Sequence, residues 1–324
     1  MPDRSAPDRW LVPPLSYGAA NVGNLHRALS DDAAWELLQA AWDCGVRYFD
    51  TAPHYGLGLS ERRLGEFLAT KPRDQFTLST KVGRLLVPDP NRSGELDLAH
   101  DFVVPAALRR QWDFTADGIR RSLEESLTRL GLDRVDVLYL HDPERFDLSA
   151  ALATGIPALA GLRDQGLVER VGVASMSTDA LLAGARSDEL DLLMVAGRYT
   201  LADQSALDAV LPAAAEHDVD VVAAAVFNSG LLAEDPPRAD ALYEYAAAPA
   251  EVLERVRAIA TACTRLDTDL PTAALHFPLR HPLVRTVVVG GATPEQVRQN
   301  ARRISAPPPE DLWTTLSHQG LVTV

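Results

Sequence analysis

Four side chains of this sequence could together move a proton: Asp50, Tyr55, Lys81 and His141. A phenol has an ordinary pKa near ~10, too high for easy exchange at neutral pH, and an adjacent ammonium lowers it by favouring the phenolate. Lys81 can supply that charge, and Asp50 can keep Lys81 protonated. His141 can orient a substrate oxygen or relay its proton. Such a set suits proton transfer coupled to hydride transfer at a hydroxyl or carbonyl carbon. Singly, each residue has a plainer reading: Asp50 as a turn residue, Lys81 as a solvated strand end, Tyr55 as a loop plug, and His141, beside Asp142 and Pro143, as a turn histidine. Their joint placement favours chemistry, because each lies at or just beyond the end of an apolar run.

Those runs are short and β-branched, as expected of strands buried on both faces. They cover 46–52 (VRYFDTA), 75–83 (QFTLSTKVG), 134–142 (RVDVLYLHD), 167–175, 190–199, 219–227 and 284–292, with a weaker one at 14–23 (PLSYGAANVG). Between them lie capped amphipathic helices. One starts on Thr115, carries Ile119, Leu123, Leu127 and Leu130 along one face, and stops at Gly131. Another opens with Thr293 as cap, Pro294 in the first turn and Gln296 at the capping-box position; a third, from Asp31, closes on Gly45. Eight strand–helix pairs predict an α/β fold, a (β/α)8 TIM barrel filling 1–324 as a single domain, with 1–13 as an N-terminal extension. Longer connections at 84–113 and 228–249 would extend from the C-terminal face, where barrel enzymes keep their chemistry.

Composition narrows the function further. The formal charge of −14 on 324 residues, without a basic stripe, argues against nucleic acid as a partner. The arginine pairs at 62–63, 109–110 and 302–303 read as solvated helix faces. Cys44 and Cys263 are too few and too far apart for a disulfide framework or a thiolate metal site. No signal peptide or membrane-spanning run is visible, so the expected setting is cytoplasmic, as a monomer or homodimer acting on a small molecule. No metal is expected, since strand 14–23 lacks a His-x-His and the strand ends lack a run of carboxylates and histidines.

At this point a resemblance can be stated. YFDTAPHYGLGLSERRLGEFL (48–68), STKVG and YLHDP are similar to the segments of the aldo-keto reductases that carry their Asp, Tyr, Lys and His, in the same order and spacing. The likeness covers nearly the whole chain. It implies Tyr55 as general acid/base, Lys81 and Asp50 as its tuning pair, and His141 as the substrate-orienting group. It also implies a nicotinamide cofactor bound across the barrel mouth without a G-x-G-x-x-G motif. By the same resemblance Asp50 and Tyr199 would meet the nicotinamide end, Tyr199 by stacking. Asn228, Gly230 and Leu232 of FNSGLL would meet the pyrophosphate, and Gly291, Thr293, Gln296, Gln299 and Asn300 the adenosine. The chain departs from the family where Ala174-Ser175 replaces Ser-Asn and Ala196 replaces Gln, which leaves Ser175 as the carboxamide candidate. Gly290, Gly291 and Gln296 stand where a cation usually meets the 2′-phosphate, so the expectation is NAD, with NADP possible through Arg298.

Within the family the chain looks most like the branch of D-threo-aldose 1-dehydrogenases, L-fucose dehydrogenases and pyridoxal 4-dehydrogenases. That likeness implies oxidation of the anomeric hydroxyl of an aldose to a lactone, with His54, Trp112 and Phe227 lining the substrate. Three other readings stay open: an aldehyde or ketone reductase, a pyridoxal dehydrogenase, and a non-catalytic protein that senses nicotinamide.

Overall fold

The computed structural model describes residues 12–92, 94–244 and 246–323, so the expected extension at 1–13 lies outside the described residues except for Val12 and Pro13. In chain order the first half comprises β1 (Leu15–Gly18), α1 (Asp31–Asp43), β2 (Tyr48–Asp50), α2 (Leu59–Leu68), β3 (Thr77–Val82), β4 (Arg84–Pro88), β5 (Leu108–Trp112), α3 (Ala116–Leu130), β6 (Val137–His141) and α4 (Leu148–Asp164). The second half comprises β7 (Arg170–Ser175), α5 (Thr178–Ala185), β8 (Leu192–Ala196), α6 (Val210–Glu216), β9 (Asp220–Ala224), β10 (Leu242–Tyr243), β11 (Ala246–Ala247), α7 (Ala250–Arg265), α8 (Leu270–Leu279), β12 (Val284–Val289), α9 (Pro294–Ile304) and α10 (Asp311–His318).

Strands β1, β2, β3, β6, β7, β8, β9 and β12 pair in parallel and close, β12 returning to β1 through Leu15↔Val287. The expected (β/α)8 barrel is therefore the fold. Val137, Tyr139, Ala174, Leu192, Met194, Val222 and Val288 fill its interior around Tyr48. Two phenols in that interior would be costly without partners, and the Tyr48 and Tyr139 hydroxyls lie 3.1 Å apart and satisfy each other. A larger core joins the outer strand faces to the helices.

Local chemistry sets the helix ends. The Thr115 hydroxyl accepts from the Gly118 amide at 3.1 Å, and Gly131 ends α3 with φ 64°. At α9 the Thr293 hydroxyl accepts from the Gln296 amide, but the Gln296 side chain accepts from Ala292 rather than Thr293, so the expected capping box is displaced by one residue. Two helices exceed the simple pairing. α7 and α10 pack on each other outside the barrel ring.

Both long connections contain strands of their own. β4 and β5 form an antiparallel ribbon, paired from Arg84↔Trp112 to Pro88↔Leu108, and β10–β11 form a small hairpin in the other connection. The arginine pairs correct the expectation of solvated helix faces. Arg62, Arg109 and Arg302 are exposed, but Arg63 is buried and donates to the Val22 and Leu29 carbonyls, Asn24 and Asp31, while Arg110 sits on a strand. The difference comes from partners distant in sequence, which supply acceptors that no local pattern displays. Among the described residues, no helix is long and apolar enough to cross a membrane.

Candidate active site

Asp50 ends β2, and register brings it beside Ser79 of β3. The Ser79 hydroxyl donates to Asp50 Oδ1 at 2.6 Å, and Lys81 Nζ donates to Asp50 Oδ2 at 2.5 Å. Lys81 Nζ also donates to the Thr51 carbonyl at 2.9 Å and to Tyr55 Oη at 3.2 Å. With only 2 % of its side chain exposed, Lys81 has three acceptors for three hydrogens. Burial alone would lower its pKa; the charges of Asp50 and Tyr55 and the bonds they accept overcome that, holding it above its ordinary value. The ammonium is therefore present at neutral pH, one hydrogen bond from the phenol.

Backbone contact fixes the Tyr55 loop. Gly56 has φ 62°, and a Cβ there would lie 2.1 Å from the Gly23 carbonyl, while a Cβ on Gly23 would lie 2.8 Å from the backbone of Tyr55. Only two glycines allow the loops after β1 and β2 to touch this closely.

His141 ends β6, its ring centroid 6.1 Å from that of Tyr55 at 88° and 5.7 Å from that of His54. Burial, then the charges of Arg84 and Lys81, push its pKa well below the ordinary value, so the imidazole is neutral. The ribbon closes this side. Arg84, 4 % exposed, pairs with Asp142 and lies 4.5 Å from the Trp112 ring centroid, and its buried Nε has no partner among the described residues. Arg110 donates to the Nδ1 and carbonyl of His54 and grips the carboxylate of Asp97 at 2.9 and 2.6 Å. The structure thus brings Asp50, Tyr55, Lys81, His141 and His54 together, with Trp112 on the rim against Arg84. Sequence reasoning missed Arg84, Asp97 and Arg110; of these, Arg110 alone has a local signal, the period-two alternation with Leu108 and Trp112 on β5.

This arrangement can pass a proton between a substrate oxygen and Tyr55 beside a fixed positive charge. Residues 14–317 match the aldo/keto reductase family. The chain belongs to that family. It is 58 % identical over 313 residues to a D-threo-aldose 1-dehydrogenase from Pseudomonas sp, covering 96 % of this chain and 95 % of the relative. It is 35 % identical over 327 residues to a pyridoxal 4-dehydrogenase from Microbacterium luteolum, with the same coverage. Its fold matches the holo form of an aldo-keto reductase from Bacillus halodurans with TM-score 0.76, at 22 % identity, over 96 % of this chain and 93 % of that one. As an aldo/keto reductase it is a nicotinamide-dependent oxidoreductase acting on a small molecule.

The remaining polar residues of this aldo/keto reductase can be tested against that cofactor. Ser175, at the end of β7, accepts from the Ser177 amide at 2.8 Å, and beside it Glu144 has a buried Oε2 with no partner among the described residues. Asn228, in the loop after β9, donates to the Gly197 carbonyl at 3.4 Å and leaves its own buried Oδ1 equally unpartnered. Two orphaned acceptors suit a ligand that brings donors, as a carboxamide and ribose hydroxyls do. At the other end Gly291 packs so closely that a Cβ would meet Val297 at 2.9 Å, with Thr293, Gln296, Gln299 and Asn300 following at the start of α9. The donors and acceptors present fit a dinucleotide.

Five further residues have contacts that bear on cofactor binding. The amides of Asn228, Gly230 and Leu232 already donate to Ala225 and Phe227 carbonyls within their loop. Tyr199 is 5 % exposed, with Phe277 5.2 Å and His281 5.8 Å from its ring centroid, and burial pushes its pKa up to about 12. Stacking on a nicotinamide would need one face of that ring uncovered. Arg27, unnoticed in the sequence, donates to the Ala292 carbonyl and adds a cation beside the segment that lacked one.

Proposed function

We propose that this protein oxidises the anomeric hydroxyl of an aldose to the lactone, with NAD preferred over NADP. The observation that carries the chemistry is the Lys81 ammonium shared between Asp50 and Tyr55; the 58 % identical aldose dehydrogenase supports the substrate class. Bound nicotinamide supplies the acceptor for the hydride that leaves carbon one. Tyr55, its phenolate favoured by Lys81, takes the proton from the carbon-one hydroxyl, and Asp50 keeps Lys81 charged and aimed throughout. Neutral His141 orients the same oxygen. The cofactor is assigned to Asp50, Ser175, Asn228, Gly230, Leu232, Gly291, Thr293, Gln296, Gln299 and Asn300, with Phe227 and Trp112 bounding the sugar. Gly290, Gly291 and Gln296 offer no charge to a 2′-phosphate, which favours NAD, while Arg27 beside Ala292 and Arg298 are the cations an NADP preference would use.

The test is a spectrophotometric screen of NAD and NADP reduction with L-fucose, D-arabinose, L-galactose and pyridoxal. Turnover of an aldose with a higher kcat/KM for NAD is the expected result. Pyridoxal as the better substrate, or a clear NADP preference, would overturn the corresponding half of the proposal.

A further inference from the structure

The ribbon arginine Arg110 makes a bond whose direction has a chemical consequence. A guanidinium is charged at every accessible pH and has only donors, so the Nε–H that meets His54 Nδ1 requires a lone pair there. An imidazolium would present a second N–H to that donor and is excluded by the same geometry. Neutral His54 therefore carries its single proton on Nε2, on the opposite side of the ring. Among the described residues Nε2 has no partner, although Tyr55 and His141 both lie beside the ring, with centroids at 6.1 and 5.7 Å. Burial, followed by the charges of Arg84 and Arg110, keeps the pKa of His54 well below its ordinary value, in keeping with a neutral ring.

The arginine is itself held on both sides. Its Nη2 also donates to the His54 carbonyl at 2.8 Å, and both Nη atoms grip Asp97, which is 1 % exposed and bonded to His100 Nδ1 at 3.0 Å. A fork bonded to both the backbone and the ring of one residue, and anchored on a buried carboxylate, defines that ring's orientation as well as its tautomer.

We infer that Arg110 is a positioning residue that locks His54 as an Nε2–H donor toward a substrate hydroxyl next to the carbon that Tyr55 serves. The inference rests on the alcohol-oxidising reading of the Tyr55 site and adds to it a determinant of which polyol is accepted. A site that donates to one hydroxyl disfavours the analogue that lacks it, because a donor covered by the bound substrate is then left without an acceptor.

Long-range proton–nitrogen correlation spectra of the protein with isotope-labelled histidine should show one imidazole with unprotonated Nδ1 and protonated Nε2 that disappears in His54→Phe. In Arg110→Met that signal should move toward a mixture of tautomers. Kinetically, wild-type kcat/KM should fall about tenfold or more on an aldose lacking one hydroxyl beside the reacting carbon, and His54→Phe and Arg110→Met should lose that discrimination. Arg110→Lys, which restores one donor, should recover part of it. A proton on Nδ1 in the wild-type protein overturns the inference, as does full discrimination in Arg110→Met with an unchanged melting temperature. Should Arg110→Met fail to fold, the wild-type spectrum and the deoxy-aldose series on His54→Phe still decide. Absence of turnover on every sugar with the expected tautomer present would instead count against the proposed activity.

Discussion

The two halves of the site are built on different kinds of support. Asp50 and Lys81 sit on neighbouring barrel strands, and Tyr55 hangs on a loop pinned by two glycine backbones. Arg84 and Arg110 come instead from β4 and β5, a ribbon whose ladder pairs only with itself. The first group places one charge and one phenol where any alcohol oxidation needs them. The second surrounds two neutral histidines with guanidinium groups and, as inferred above, bears on what the substrate must offer. On the proposed function, reaction type belongs to the barrel and selectivity to the ribbon.

The largest expected effect breaks the barrel half alone. Tyr55→Phe removes the proposed proton carrier while leaving Asp50 and Lys81 in place, and should lower kcat roughly a thousandfold while leaving the dissociation constant for NAD, read by fluorescence quenching, nearly unchanged. Turnover near the wild-type rate would remove Tyr55 from its proposed role. Next, Asp50→Asn leaves the buried Lys81 ammonium without its counter-charge. It should cost about 3–5 kcal/mol of unfolding free energy in urea titrations, in addition to lost activity.

A break on the ribbon side should be milder and of a different kind. Arg84→Met keeps apolar contact with Trp112 but abandons Asp142, and should raise the sugar KM about tenfold with a smaller change in kcat. A fall in kcat alone would erase the distinction between the halves. The smallest effect is on pH dependence. His54 and His141 have depressed native pKa values, so the unfolded chain binds protons that the folded one refuses. Their stability contribution is complete above about pH 6.5 and is lost as pH falls through the depressed values. Urea midpoints measured from about pH 8 down to pH 5 should therefore decline, and less steeply in His141→Gln.

The legible part of the molecule was the part that repeats or caps. Valine-rich runs such as 284–289 and caps such as Thr115 and Gly131 act locally, so the barrel and the ends of α3 could be read directly. Asp50, Tyr55 and Lys81 were legible because the barrel rule sends strand ends to one mouth. Arg110 was not, because its partners, Asp97 and His54, lie thirteen and fifty-six positions away, with nothing local to connect them. The packing of Tyr199 against Phe277 was hidden for the same reason: α8, which carries Phe277, lies far along the chain.

The self-contained pairing of β4 with β5 has an evolutionary corollary. Among the described residues β4 and β5 share no ladder with the barrel strands, so the ribbon can be lengthened, reshaped or exchanged by mutation without reopening the barrel's own strand pairing. New substrate preferences can then be explored on β4 and β5 while the proposed proton-transfer residues of the barrel stay under their own, separate selection.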